Sequence, residues 1–239
     1  MTPPLIEMTG VVKSGPGLGP LRIEQFAVSR GDRLVISGLD APSAEVFLNL
    51  ITGAAIADEG TVRVAGADTK SIATDTEWLR SLDRFGIVTD RAVLIGALSV
   101  ASNLALPLTL SIEPMADDVR RKVEQLAAEV GLPSARLSDA ASTLDGHERA
   151  LAHLARAIAN DPEVLLLEHP TANFTSPEAS RGLGAALARL GDARKLGWVA
   201  LSNDEPFARA SGAMRLRLDA ATGRVRGAAG FWRRLFTVS

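Results

Sequence analysis

The sequence predicts an α/β protein with a parallel core sheet. Three short apolar runs, at 34–37, 163–170 and 197–204, have the length and composition of buried strands. Segments in which apolar residues recur at helical spacing lie at 115–131 and 145–159. Because strands and helices alternate along the chain, we expect the strands to pair in parallel.

The other elements of the first half are short. "LRIEQFAVSRGDRLVISGL", residues 21–39, alternates apolar and polar residues before it enters the first buried strand. "VFLNLITG", 46–53, predicts a helix that Gly53 ends. "DEGTVRVAG", 58–66, predicts a turn and an edge strand, and "RFGIVTD", 84–90, predicts another strand.

Composition excludes several classes of function. Of the 239 residues, 46% are hydrophobic, which is enough for a sizeable core, and the net charge of −2 gives no sign of nucleic-acid binding. Cysteine is absent and the three histidines are scattered, so no metal site is predicted. No apolar stretch reaches the roughly 20 residues that span a membrane, and no secretory signal is seen, so we expect a cytoplasmic protein.

"GLDAPSAE", residues 38–45, has the frame of a phosphate-binding loop but not its chemistry. Such a loop ends in glycine, lysine and serine or threonine, and its amides and lysine hold phosphates. Here those positions are Ser43, Ala44 and Glu45. One charge pair near 4 Å is worth about 4 kcal/mol at an effective dielectric of about 20, so a lost lysine and an added acid together could cancel ordinary ligand affinity.

Two interpretations of Glu45 are open. It is either a carboxylate in the first turn of a helix, where the helix dipole stabilises it, or a ligand of Mg²⁺. We favour the first. We expect the carboxylates of Asp40 and Glu45 to occupy the place of the phosphates with no compensating cation, and Pro42 to remove one amide donor from the loop.

Three longer segments follow the loop in a fixed order. They are "FGIVTDRAVLIGALSVASNLALPL", "LDGHERALAHLARAIANDPEVLLLEHPTANF" and "VALSNDEPFA". Together with the loop and "LNLITG", they resemble the Walker A, Q-loop, signature, Walker B, D-loop and H-loop of the ATP-binding subunit of ATP-binding-cassette (ABC) transporters. The resemblance covers nearly the whole chain, and each motif is degenerate.

The resemblance implies a fold and partners. The fold is P-loop NTPase-like, with a core parallel sheet, an N-terminal antiparallel strand layer and a helical subdomain inserted at about 90–160, in a single domain over 1–239. The partners are another ABC-type subunit, as homo- or heterodimer, and a membrane permease, which would bring the protein to the inner face of the cell membrane. ATP and Mg²⁺ are its cofactors only if nucleotide binding survives.

The resemblance also assigns site positions. The Walker A positions are Gly38, Asp40, Ser43, Ala44, Glu45 and Val46, and the signature positions are Leu144, Asp145, Gly146, His147 and Glu148. The catalytic positions are Glu168 for the metal-associated aspartate, His169 for the catalytic glutamate, Thr89 for the Q-loop glutamine and Asn203 for the H-loop histidine. The D-loop aspartate falls at Thr175, and the adenine-stacking aromatic falls near Ser14 and Gly15, where no aromatic stands.

The altered residues have ordinary structural interpretations. Asp145 and Glu148 fit the capping box of a helix, which we favour over a contact between His147 and an anion. His169 could act as a general base, but a histidine at a strand end that bonds a neighbouring loop is the favoured interpretation.

These changes lead to three hypotheses of function. The first is a non-hydrolysing ABC-type subunit with a structural or regulatory role. The second is a working ATPase in which Glu168 binds the metal and His169 is the base. The third is a soluble adaptor that uses the fold to bind proteins.

Two apolar segments are left open. "LPLTLSIEP", 106–114, either contacts a permease or belongs to the core. "GFWRRLF", 230–236, is interpreted as a docked or frayed tail rather than a membrane contact.

Overall fold

A computed structural model of the chain describes residues 4–15, 18–89 and 91–227. The "GFWRRLF" segment lies outside them. Ten strands are present in this part of the chain: β1 Ile6–Gly15, β2 Leu18–Val28, β3 Arg33–Ser37, β4 Glu59–Val64, β5 Ala67–Asp68, β6 Phe85–Thr89, β7 Val164–Glu168, β8 Gly197–Leu201, β9 Met214–Asp219 and β10 Arg224–Gly227. Its α-helices are α1 Ala41–Thr52, α2 Asp75–Leu82, α3 Val100–Ala105, α4 Asp117–Val130, α5 Gly146–Ala157, α6 Pro177–Arg194 and α7 Glu205–Ala210.

The strands form two sheets. The N-terminal sheet has the order β2-β1-β4-β5, and its pairs are antiparallel. The larger sheet has the order β10-β9-β3-β8-β7-β6, in which only the edge pair of β10 with β9 is antiparallel. The predicted fold class is confirmed: a parallel core sheet carries an antiparallel strand layer, and helices α3, α4 and α5 are inserted between β6 and β7.

Helix α1 begins earlier than the sequence analysis predicts. The predicted helix covered 46–53, whereas the observed helix begins at Ala41. Asp40 is its N-cap and accepts a hydrogen bond from the Ser43 amide, while Pro42 lies in the first turn, where a missing N–H costs nothing. Gly53 ends the helix in the left-handed conformation, as predicted.

The other predicted helices are confirmed with small changes of length. The segment 115–131 contains α4, which Gly131 ends with a φ of 82°. The segment 145–159 contains α5. In the described ranges, no helix is both long and apolar enough to cross a membrane.

Two apolar clusters hold the layers together. One packs α1 between the N-terminal sheet and the core sheet, and it includes Phe26 and Phe47, whose rings meet edge to face at 5.5 Å. The other packs α3 to α6 on the core sheet. In the 106–114 segment, Leu108 and Ile112 pack on this cluster, which confirms a part in the core, while Leu110 is 93% exposed. Contact of this segment with a permease stays a prediction.

Replacing Phe47 by Ala should reduce the free energy of unfolding by about 3–5 kcal/mol, because the fully buried ring leaves a cavity between the sheets. Denaturant unfolding measures this loss. Leu79→Ala is the control: its side chain is 57% exposed, so the change should stay within about 0.5 kcal/mol. Equal losses in the two variants would contradict the assignment of Phe47 to the core.

Candidate functional site

The site lies where the parallel strands of the core sheet end. The carboxyl ends of parallel strands meet at one edge of a sheet, which is where α/β proteins bind ligands. Gly38 follows β3, Thr89 ends β6, Glu168 ends β7 and Asn203 follows β8. The fold therefore brings the Walker A, Q-loop, Walker B and H-loop positions to one edge, as the resemblance implies.

Asn203 closes the loop after β3. Its side-chain oxygen accepts a hydrogen bond from the Gly38 amide at 2.9 Å, and its amide nitrogen donates to the Leu39 carbonyl at 3.1 Å. Gly38 has a φ of +96°, and a Cβ there would lie 2.2 Å from the Leu218 carbonyl oxygen. Only glycine fits this turn, so the first residue of the motif keeps its structural role.

Two amides beyond the turn, those of Ser43 and Ala44, have acceptors within the loop and helix. The Asp40 carboxylate accepts from the Ser43 amide at 2.9 Å, and the Ala44 amide donates to the Asp40 carbonyl at 2.9 Å. Hydrogen bonds from Ser43, side chain first and then backbone, hold the pKa of the Asp40 carboxyl below its ordinary value. Asp40 thus occupies the end of α1 that would otherwise attract an anion.

This loop does not fit a triphosphate. A phosphate-binding loop leaves its amides free and adds a lysine. In this chain the amides of Gly38, Ser43 and Ala44 have internal acceptors, Pro42 has no N–H, and Ala44 stands at the lysine position with its side chain fully buried. Pro42 was predicted to lie in the loop, but it lies in the first turn of α1.

Arg91 joins the two carboxylates of the site, which corrects two expectations. Its guanidinium forms ion pairs with Glu45 and with Glu168, the second at 2.6 Å between Nη2 and Oε2. The expectation that no cation compensates the loop's negative charge is therefore wrong. The placement of Glu45 in the first helical turn is also wrong, because α1 begins at Ala41 and the partner of Glu45 is Arg91.

Thr89 completes the arrangement. Its hydroxyl donates to Glu168 Oε2 at 2.8 Å and accepts from Arg91 Nε at 3.4 Å. Burial by itself lowers the pKa of Arg91, but the hydrogen bonds and charges of Glu168 and Glu45 outweigh it and leave the pKa above its ordinary value. The guanidinium stays charged at any pH at which the protein is folded.

The site does not fit Mg²⁺ either. In P-loop NTPases the metal is held by the loop's serine or threonine and by the Walker B aspartate. The corresponding positions here are Glu45 and Glu168, and both already pair with Arg91. The two carboxylates therefore share one cation that the chain itself supplies.

The signature positions form a capped helix, as predicted. The Asp145 carboxylate accepts from the Glu148 amide at 2.8 Å, and Glu148 Oε2 accepts from the Asp145 amide at 3.1 Å. Arg136 donates from Nε and Nη2 to the two carboxylate oxygens of Glu148, each at 2.9 Å. Hydrogen bonding by Glu148 is the main cause of the raised pKa of Arg136.

Two other signature positions serve packing. A Cβ on Gly146 would lie 2.8 Å from the Asn173 carbonyl oxygen, so only glycine lets the backbone at 173 pass this close to α5. His147 packs edge to face on Phe174, with ring centroids 5.8 Å apart, and touches α6 at Gly182. Leu144 is buried. Among the described residues, no hydrogen bond or ion pair joins 144–148 to the loop at 38–45.

His169 stands just beyond β7 with a φ of 42°. Its amide donates to the Leu201 carbonyl at 2.9 Å, which ties the strand end to β8. Its Nε2 is buried and has no hydrogen-bond partner within the described ranges, so the predicted side-chain bond is not found at that atom. Thr175 is exposed, Val46 is half-buried on α1, and Ser14 donates its amide to Asp58 at the end of β1.

A cavity of about 590 Å³ lies beside this site, between the inserted helices and the core sheet. Thr89, His153, His169 and Phe174 are among its lining residues, and the loop at 38–45 is not. Burial, followed by the charges of Arg156 and Arg149, lowers the pKa of His153 to about 4.

Sequence reasoning missed Arg91, the residue that organises the site. The sequence does contain one indication of it. Glu45 and Glu168 are acids at two positions that lie close together in the ABC ATPase fold, and such a pair requires a cation. The basic residue two positions after the end of β6 is the one that reaches both.

Asn203→Ala should reduce the free energy of unfolding by about 1–2 kcal/mol, because two hydrogen bonds to the loop are lost. The Gly38 amide should also exchange its hydrogen faster, which exchange measured by NMR will report. Asn160→Ala, at an exposed position in the turn after α5, serves as the control and should have little effect. Unchanged exchange at Gly38 in the Asn203 variant would mean that this side chain does not close the loop.

Stability should fall on acidification through His153. Its pKa is about 4 in the folded chain and near 6.5 when unfolded, so the neutral imidazole contributes stability above pH 6.5 that is lost as pH falls toward 4. The free energy of unfolding should fall by about 3 kcal/mol in the unmodified protein over this pH range, and by less in His153→Gln. Denaturant unfolding at several pH values tests this, and parallel pH profiles of the two proteins would refute it.

Comparison with known proteins identifies the family. The ABC transporter family model matches residues 24–172. Curated relatives include the macrolide export ATP-binding/permease protein MacB 1 of Aeromonas hydrophila, 31% identical over 80% of this chain and 30% of its own length. The methionine import ATP-binding protein MetN 2 of Burkholderia mallei is 33% identical over 80% of this chain and 47% of its own length. The lipoprotein-releasing system ATP-binding protein LolD of Alcanivorax borkumensis is 30% identical over 79% of this chain and 81% of its own length. The chain thus spans less than half the length of the first two.

Solved structures show the same fold. The dimeric post-hydrolysis state of the ATP-binding cassette MJ0796, bound to ADP and Pi, aligns with a TM-score of 0.75 and 22% identity over 95% of this chain and 100% of that one. A nucleotide-free ATP-binding cassette from an ABC transporter aligns with a TM-score of 0.71 and 17% identity over 98% of this chain and 95% of that one. From the family match and the identity to LolD over most of its length, the chain belongs to the ABC transporter family, as a homologue of its ATP-binding subunits.

Proposed function

We propose that this chain is a non-hydrolysing ABC-type subunit with a structural or regulatory role in a transporter complex. The observation that carries this proposal is the closed loop after β3. Asn203 accepts from the Gly38 amide and Asp40 accepts from the Ser43 amide, so these two donors of the loop already have partners in the chain. Binding a triphosphate there would require breaking these bonds first.

Electrostatics act in the same direction. The loop offers the carboxylates of Asp40 and Glu45, no lysine, and a side chain at Ala44 that is fully buried. Arg91 compensates Glu45, but it is shared with Glu168, so the three groups together keep one negative charge. A triphosphate would meet repulsion rather than the attraction of a lysine and a metal.

Asn203 and His169 take the places of groups that act on the γ-phosphate in working relatives. Asn203 is occupied with Gly38 and Leu39, and His169 has its Nε2 buried. An amide side chain takes up no proton, and no partner among the described residues orients the His169 ring through its Nε2, so neither residue is held as a general base for an attacking water.

We propose partners from the relatives' names and from the fold. MacB 1 is an ATP-binding/permease protein, and MJ0796 was solved as a dimer. For this chain we propose one cassette domain over 1–239, with its helical subdomain at about 90–160, paired with a second, catalytically competent ABC-type subunit. The pair would dock on a membrane permease, which places the chain at the inner face of the membrane.

Purified protein should show no saturable Mg-ATP binding below about 0.1 mM, a limit equal to roughly 5.5 kcal/mol of binding free energy. It should also release no phosphate above the uncatalysed rate. Titration with a fluorescent ATP analogue and a phosphate-release assay measure both, with the protein alone and with any subunit that co-purifies with it.

Glu45→Ser is the matched variant, since it supplies the loop's hydroxyl and leaves the buried side chain of Ala44 in the core. Its affinity for the analogue should rise by about tenfold, because one acid is removed and Arg91 is left to pair with Glu168 alone. Tight Mg-ATP binding with turnover by the unmodified protein would overturn the proposal in favour of a working ATPase.

A further inference from the structure

We propose that Arg91 is a built-in cation that takes the metal's place and positions the connection between the core sheet and the inserted helices. The inference deepens the proposed function and rests on it, because it says what holds the site of a subunit that does not use Mg-ATP. Arg91 acts through its neighbours and is a positioning residue, with no role in catalysis.

The burial of Glu168 shows why a cation is required. Its side chain is 5% exposed, while those of Arg91 and Glu45 are 44% and 46% exposed. A buried carboxylate costs free energy unless it is paired and hydrogen-bonded. Glu168 receives one hydrogen bond from the Thr89 hydroxyl and one from Arg91.

Arg91 is anchored to three elements. Glu45 lies on α1, Glu168 ends β7, and Thr89 ends β6, immediately before the connection on which Arg91 itself lies. The guanidinium therefore ties the start of this connection to the core sheet and to α1. Its planar fork can bond two carboxylates at once, which a lysine cannot match.

The far end of the same connection is fixed to the inserted helices. The Asn103 side chain on α3 is fully buried, accepts from the Ile95 amide at 2.7 Å and donates to the Ile95 carbonyl at 3.0 Å. The Gly96 carbonyl accepts from the Ser142 amide at 3.2 Å, just before α5.

The connection, residues 91–98, thus bridges the two parts of the fold, with Arg91 on the core side and Asn103 on the helical side. In a site that used Mg-ATP, ligand binding could alter the core-side contacts. Here those contacts are made by the chain itself, so the placement of the inserted helices does not depend on a ligand.

Three variants test the assignment, in the absence of nucleotide. Arg91→Ala removes the cation, Arg91→Lys keeps the charge without the fork, and Glu45→Gln removes only the half-exposed partner. Arg181→Ala is the matched control, because Arg181 pairs with Glu178 on the surface of α6. Thermal unfolding and hydrogen exchange are measured for each.

Arg91→Ala should lower Tm by about 5 °C or more and should speed amide exchange in 91–98 by about tenfold, while β1 is unaffected. Arg91→Lys should recover part of both effects, and Arg181→Ala should shift Tm by about 1 °C at most. Glu45→Gln should stay folded and speed exchange in 91–98 to a smaller extent, so the test survives if Arg91→Ala fails to fold.

A divalent cation separates a metal-like role from simple packing. Without the guanidinium, Glu45, Glu168 and Thr89 leave two carboxylates and a hydroxyl together, the oxygen ligands that Mg²⁺ takes. About 10 mM Mg²⁺ should raise the Tm of Arg91→Ala by about 3 °C and leave the unmodified protein unchanged.

Three results would overturn the inference. The first is that Arg91→Ala and the unmodified protein have the same Tm and the same exchange rates. The second is that Mg²⁺ raises the Tm of both proteins equally. The third is that Arg91→Ala loses Tm and Mg²⁺ does not reduce the loss. These outcomes are independent of ATP turnover. If the protein hydrolyses ATP, the proposed function is wrong, but the role of Arg91 can still be tested. If Arg91→Ala has no effect on Tm or exchange, the role of Arg91 is wrong, but the evidence for the proposed function from the closed loop is unchanged.

Discussion

A carboxylate buried at the end of a strand costs several kcal/mol unless a cation and hydrogen bonds satisfy it. Glu168 is in that position at the end of β7. In P-loop NTPases the Walker B acid helps to hold a metal ion. In this chain Arg91 and Thr89 satisfy the carboxylate, and Arg91 also pairs with Glu45. An acid at the loop position is therefore compatible with the fold, because the guanidinium that stabilises Glu168 also compensates it.

The fold is maintained by other residues. Phe47 and Leu50 of α1 and the apolar strands β3, β7 and β8 build the core without any group that a nucleotide would need. Where motif positions have changed, the new side chains meet local requirements: Asp40 and Asp145 cap helices, and Asn203 closes a turn. Fold and chemistry can separate in this family because they depend on different positions.

The parallel sheet, the helix ends at Gly53 and Gly131, and the capping box at Asp145 were predictable from sequence because each depends on local pattern. The start of α1 was missed for a local reason as well. An aspartate followed two residues later by a proline is typical of a helix start, as at Asp40 and Pro42. These residues were instead interpreted as part of a phosphate-binding loop.

Arg91 could not be located in the same way. Its two partners are 46 and 77 positions distant in the chain, and only the pairing of β6 with β7 and the packing of α1 bring them together. The sequence shows two acids at positions that meet; which basic residue reaches them depends on the path of the chain after β6.

The most direct measurement is a crystal structure determined in the presence of Mg²⁺ and a non-hydrolysable ATP analogue. We expect the guanidinium of Arg91 to stay between Glu45 and Glu168, with Asn203 still bonded to Gly38 and no triphosphate above the loop. Density for a triphosphate seated over Ser43 to Glu45, with a metal ion in place of the guanidinium, would contradict it.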